Sequence, residues 1–245
     1  MLRNIKLTIE YDGTGYFGWQ KQKDKKTIQE TIERILEKIL QEKIKLVGSG
    51  RTDSGVHAKG QIANFKTNSK LKIKNIQAAL NSLLPKDICI VRIEEVPLNF
   101  HSQYDVRSKI YRYTVLNSFH RAPLSERHSY FFPCRLDIRA MQKEAKLFLG
   151  EHNFRSFQNS DKKEKNSVRK IKNLKIKKEG DFIYFDIEAN GFLKGMVRNI
   201  MGSLLEIGKG RFKEGVLKKI LDQKDRRKAG PSVPAKGLCL LKVNY

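Results

Sequence analysis

Residues 27–42, TIQETIERILEKILQE, set Ile28, Ile32, Ile35, Leu36, Ile39 and Leu40 on one face of a helix and charges on the other. Just upstream, residues 3–11, RNIKLTIEY, alternate apolar and polar, the period of a half-buried strand. A chain that changes its hydrophobic period from 2 to 3.6 over so short a distance must lay a helix against a sheet. The same switching continues. Residues 44–49 and 61–66 read as strands, 73–84 as a helix stopped by Pro85, and 88–95 as a strand rich in isoleucine and valine. Further on, 107–116 and 128–132 read as strands, 136–149 as a helix ending at Gly150, and 168–178 with 182–190 as a hairpin about Glu179-Gly180. Helices over 193–207 and 212–222 and a strand over 237–243 close the chain. Helices mixed with antiparallel strands predict an α+β fold. The boundary falls near 101–107, giving domains 1–104 and 105–245, and no low-complexity linker holds them apart.

Charge narrows the partner. Lys and Arg number 50 against 26 Asp and Glu, a net +24. Such an excess suits a polyanion, because cations that neutralise phosphates release condensed counterions. A lysine-rich genome would also raise the charge with no partner involved. No apolar run approaches the ~18 residues that span a bilayer. The N-terminus alternates as a strand does and lacks the form of a signal peptide. Cys89, Cys134 and Cys239 are far apart in apolar contexts, which reads as three reduced core residues of a cytoplasmic protein. The five histidines lack zinc-ligand spacing with the cysteines, so no metal is expected.

Three places carry chemistry. Residues 47–65, VGSGRTDSGVHAKGQIANF, put Arg51 and Asp53 two apart among four glycines. In an extended segment their side chains point the same way, and an arginine beside a carboxylate keeps it ionised. Asp53 is then a nucleophile or base; the competing reading is a turn aspartate bonding nearby amides. In the apolar helix, Arg198 has Gly195 and Gly202 among its neighbours, which lets another backbone come close. A charge there calls for an acid, with Asp53, Glu188, Glu206 and Asp222 as candidates, or else for a snorkelling side chain. Tyr111 and Tyr113 share a strand face, positioned either to stack on a base or to pack in the sheet. The stretch from Ser160 to Lys170, SDKKEKNSVRK, reads as an exposed loop that either is merely solvated or contacts phosphates. GKGRF at 208–212 and DGTGYFGW at 12–19 both fall short of a phosphate-binding loop.

Seven stretches in order resemble the tRNA pseudouridine synthase A family: YDGTGYFGWQ, GSGRTDSGVHAKGQIANF, LNSLLP, FHSQYDVRSKIYRY, HNFRSFQ, FLKGMVRNIMG and AGPSVPAKGLCL. Together they cover nearly the whole chain. The resemblance implies two intimately packed domains with largely antiparallel sheets, flanking helices and an active-site cleft between them. It implies isomerisation of uridine to pseudouridine in the tRNA anticodon stem-loop, at about positions 38, 39 and 40. A homodimer without cofactor or metal is implied too. By motif match Asp53 is the essential aspartate, Arg51 helps displace the base, Tyr111 is the active-site aromatic and Arg198 pairs with Asp53. Gln103, in FHSQY, stands where relatives often carry arginine.

Two other classes compete. A non-catalytic basic RNA-binding protein would use the same fold and charge, but a carboxylate facing phosphates hinders plain binding. An acid-base enzyme acting on small molecules would not need +24.

Overall fold

The structure is a computed structural model that describes residues 1–159 and 166–245. It divides into two compact units, Met1–Arg107 with Leu240–Tyr245, and Ser108–Cys239.

In the first unit, β1 (Arg3–Tyr11), α1 (Ile28–Leu40), β2 (Val47–Gly48), β3 (His57–Thr67), α2 (Ile73–Leu83) and β4 (Ile88–Val96) follow in order. β1 lies between β3 and β4, antiparallel to both. Its alternation is what buries it: Ile5, Leu7, Ile9 and Tyr11 face the core, while Glu10 is exposed. Register sets Ile5 opposite Phe65 and Leu7 opposite both Ala63 and Ile93. α1 begins after Thr27, in extended geometry, and stops at Gln41, which turns left-handed at φ 55°. It buries Ile28, Ile32, Ile35, Leu36 and Leu40, each contributing about 1.5–3 kcal/mol on leaving water. Buried Glu33 ties the helix to the next segment by accepting the Leu46 N–H at 2.9 Å.

In the second unit come β5 (Ser108–Leu116), β6 (Tyr130–Phe131), α3 (Ile138–Ala145), β7 (Gly150–Asn153), β8 (Val168–Glu179), β9 (Phe182–Ala189), α4 (Met196–Gly208) and α5 (Val216–Gln223). β10 (Leu238–Asn244) closes the chain, and from Leu240 onward it belongs to the first unit. The antiparallel order is β5–β9–β8–β7, with β6 parallel to β5. Tyr111, Tyr113 and Val115 of β5 stand opposite Ile187, Phe185 and Ile183 of β9, all buried. Every residue of α4 except Arg198 is buried, so this helix is hydrophobic nearly all round and forms the middle of its unit.

Some sequence expectations need correction. The strand expected over 44–49 is only Val47–Gly48, and β3 starts at His57 rather than 61. The chain's tight hold on 49–56, described below, takes up the intervening residues. Four-residue β7 was not foreseen, because so short a segment shows no period. The helix expected over 136–149 is α3 followed by a 3₁₀ turn, Lys146–Phe148. The cysteines are unbridged thiols, but none is a core residue: Cys89 and Cys134 are exposed and Cys239 is half-buried. Cys89 takes the outward position between buried Ile88 and Ile90 on β4, as alternation requires. Of the lysine-rich stretch, residues 160–165 lie outside the described residues, and Val168–Lys170 already belong to β8.

Candidate active site

Arg51 and Asp53 lie in the connection between β2 and β3, which is fastened along its length to the body of the first unit. At its start, fully buried Gln61 accepts the Ser49 hydroxyl at 2.6 Å and donates to the Gly50 carbonyl at 3.0 Å. Thr52 is turned inward, 7% exposed, and its hydroxyl meets the Tyr11 phenol at 2.8 Å. The Thr52 carbonyl accepts the Trp19 N–H at 3.1 Å. Next, the Tyr16 carbonyl accepts both the Ser54 hydroxyl at 3.1 Å and the Gly55 N–H at 3.3 Å. The Asp53 carbonyl accepts the Val56 N–H at 3.2 Å, closing a four-residue turn whose third position, Gly55, has φ +76°. A positive φ at that position is what a type II turn demands, and glycine meets it without strain.

The segment behind this loop is the motif YDGTGYFGW. It passes so close that a Cβ on Gly18, itself at φ +82°, would stand 2.4 Å from the Thr52 carbonyl oxygen. The Gly13 N–H donates to His57 Nδ1 at 3.1 Å, and Tyr16 is anchored in turn by donating its phenol to Asp87 at 2.6 Å. Burial, then that bond to Asp87, push the Tyr16 phenol far above its ordinary range. Side-chain burial alternates through the loop: Arg51 exposed, Thr52 buried, Asp53 half-buried. Such alternation is that of an extended segment, with Arg51 and Asp53 on the side away from the core.

Tyr111 and Arg198 lie in the second unit, on β5 and on α4, which pack together. Tyr111 is 7% exposed and meets the Phe192 ring edge-on at 5.2 Å between centroids. Arg198 donates from Nε to the Val233 carbonyl at 2.7 Å. The next carbonyl, that of Pro234, accepts the Tyr113 phenol at 2.9 Å. Burial, with Tyr130 acting in the same direction and Arg198 against it, raises the Tyr113 phenol well out of the range in which it ionises. Tyr113 therefore packs and bonds as a structural residue.

The segment bearing these two carbonyls is laced along α4. Gly230 N–H donates to the Ser203 hydroxyl at 2.9 Å, and Ser203 donates to the Asn199 carbonyl at 2.9 Å. Arg226 reaches the Gly230 carbonyl at 3.0 Å and Asn199 Oδ1 at 2.9 Å. The close backbone approach expected beside Arg198 is real: Gly202 faces the Pro231 carbonyl, 1.7 Å from where a Cβ would be. Glu206, one acid weighed for Arg198, is instead engaged by Lys209 at 2.8 Å. Sequence reasoning did not find Tyr11, Trp19, Thr52 or Gln61, nor the segment 226–234 as the holder of Arg198.

Comparison with known proteins matches residues 7–105 and 145–245 to a family model described as tRNA pseudouridine synthase. Arg51, Asp53 and Arg198 fall inside the matched segments, and Tyr111 falls between them. A tRNA pseudouridine synthase A 2 of Clostridium perfringens is 49% identical over 244 residues, 100% of both chains. A tRNA pseudouridine synthase A of Caldicellulosiruptor bescii is 47% identical and one of Acetivibrio thermocellus 44%, each again over 100% of both chains.

Proposed function

Since the chain belongs to the tRNA pseudouridine synthase family, it is an isomerase that converts uridine to pseudouridine in tRNA, and we propose that it acts in the anticodon stem-loop, at about positions 38, 39 and 40, with Asp53 as its essential aspartate. The relatives lend no support to a non-catalytic RNA-binding role.

The reaction breaks the C1′–N1 bond, turns the uracil and joins C1′ to C5. The C5 proton leaves and N1 gains one, so substrate and product are isomers. Asp53 cannot reach a stacked nucleotide, so the target is extruded first. Its carboxylate then acts on the sugar, as nucleophile at C1′ or as base toward the ribose. Arg51 fills the space the base vacates. Tyr111 stacks on the uracil and passes on the C5 proton. On the family resemblance, Arg198 is the cation that keeps Asp53 charged and aimed. The observation that carries the role of Asp53 is the fastening of its loop: the residues around it are bonded into the fold, as a group acting in a reaction requires.

The net charge of +24 suits a tRNA backbone. On the family resemblance the protein works as a homodimer in the cytoplasm without cofactor or metal. No described helix is long and apolar enough to cross a membrane. Mapping pseudouridine in treated tRNA transcripts, by carbodiimide adducts that stop reverse transcription, tests the target. Stops at about positions 38–40 are expected. Stops confined to another arm would overturn the anticodon assignment and leave the enzyme class standing.

A further inference from the structure

Thr52 sits between the two outward residues of the loop and is the only one of the three whose side chain points into the fold. Both of its polar ends are held. Its hydroxyl bonds at 2.8 Å to the phenol of Tyr11, a residue 3% exposed at the end of β1. Its carbonyl takes the Trp19 N–H at 3.1 Å, in a space only a glycine at position 18 leaves open. The peptide that leads into Asp53 is therefore fixed in direction before Asp53 begins. The turn closed by the Asp53 carbonyl and Val56 N–H fixes the peptide that leaves it. Anchoring both sides of one residue leaves its side chain little freedom beyond its own rotamers.

We infer that the Tyr11–Thr52 hydroxyl pair is a positioning device for Asp53, setting the angle at which its carboxylate leaves the loop. The inference rests on the reading of Asp53 as the essential aspartate. Thr52 and Tyr11 act through Asp53 and touch no reacting atom. A merely structural role would have the pair hold the loop down, so that breaking it would cost stability and tRNA binding alike. A positioning role makes a different demand. Trp19, Tyr16 and Gln61 still hold the loop when the pair is broken. What changes is alignment, and a misplacement on the order of 1 Å costs about 100-fold in rate.

Thr52→Val keeps shape and burial but removes the hydroxyl; Tyr11→Phe removes the other half. Each is expected to lower kcat about 10- to 100-fold with KM close to wild type, while the melting temperature falls by only a few degrees, the cost of leaving one buried hydroxyl unpaired. Thr52→Ser, which keeps the hydroxyl, is expected to restore most of kcat. The double variant should be no slower than the worse single one, because both break one bond. A kcat for Thr52→Val equal to wild type would overturn the inference, as would equal losses in Thr52→Ser and Thr52→Val or losses that multiply in the double variant. Should Thr52→Val fail to fold, Tyr11→Phe carries the same test. Wild type and Asp53→Asn are run alongside. Turnover that survives Asp53→Asn sinks the assignment of Asp53; turnover lost there but intact in Thr52→Val sinks only the positioning pair.

Discussion

Replacing Gly202 by alanine puts a methyl group 1.7 Å from the carbonyl oxygen of Pro231. Ordinary contact starts at 3.4 Å, so the two must part by 3.4 − 1.7, or 1.7 Å. The α4 backbone is buried on all sides, which leaves the 230–234 segment to move. A shift of that size breaks the Gly230–Ser203 bond of 2.9 Å and pulls Val233 from Arg198, now at 2.7 Å. The neutral bond contributes about 0.5–1.5 kcal/mol and the charged one about 1.5–3 kcal/mol. If instead nothing moves, overpacking costs about 1–3 kcal/mol or more. Alanine's better helix propensity returns about 1 kcal/mol. The net loss is about 1–3.5 kcal/mol, a fall of roughly 2–14 °C in melting temperature for a chain of this size. Turnover should fall too, because Arg198 loses its anchor. The assay is calorimetric melting of wild type, Gly202→Ala and Gly15→Ala, the last an exposed glycine with nothing within 4 Å of its added Cβ. Gly15→Ala should melt with wild type. A Gly202→Ala protein that also melts with wild type and turns over normally would refute the reasoning.

Arg198→Ala should lower stability by about 1.5–3 kcal/mol through loss of its bond to the Val233 carbonyl, and lower activity with it; a folded product with unchanged melting temperature would remove the argument. Lys109, on the Tyr111 face of β5, has its ammonium pKa pulled down from 10.5 to about 8, chiefly by burial and then by Arg169. The unfolded chain keeps that proton up to about 10.5, so the folded state carries the full penalty below about pH 8 and sheds it as pH rises toward 10.5. Lys109→Met should therefore be more stable than wild type at pH 7 in denaturant titrations, with the gap closing by pH 10.5; a constant gap would contradict this. Binding of tRNA should weaken linearly in log–log against salt, whereas a flat dependence would contradict the use of the excess positive charge to neutralise phosphates.

The parts of the fold that could be read from the sequence are those where a local period speaks for itself. The apolar face of α1, five of whose six expected positions are buried and Ile39 half-buried, the alternation of β1 and the β8–β9 hairpin about Gly180 emerge within a residue or two of expectation. Short or glycine-rich elements do not, because β2 and β7 span only two and four residues. The start of β3 was hidden for the same reason, as GVHAKG reads as loop by composition. In the candidate site, Arg51 and Asp53 stood out as charges among glycines, and Arg198 as a charge in an apolar helix. What holds them was illegible. Tyr11 and Thr52 are 41 positions apart, and Arg198 and Val233 are 35. No local pattern marks a tyrosine at a strand end or a valine carbonyl as a partner. Cys89 and Cys239 misled in the opposite way, since apolar neighbours on an alternating strand place the residue between them outward.

The central claim is that Asp53 performs the isomerisation. Tritium release from tRNA labelled at C5 of uridine tests it most directly, with wild type and Asp53→Asn side by side and tRNA affinity measured for both. Release by wild type alone, at similar affinity, is the predicted result. Release by Asp53→Asn at the wild-type rate would contradict the account, since the aspartate around which the whole loop is built would then have no part in the reaction.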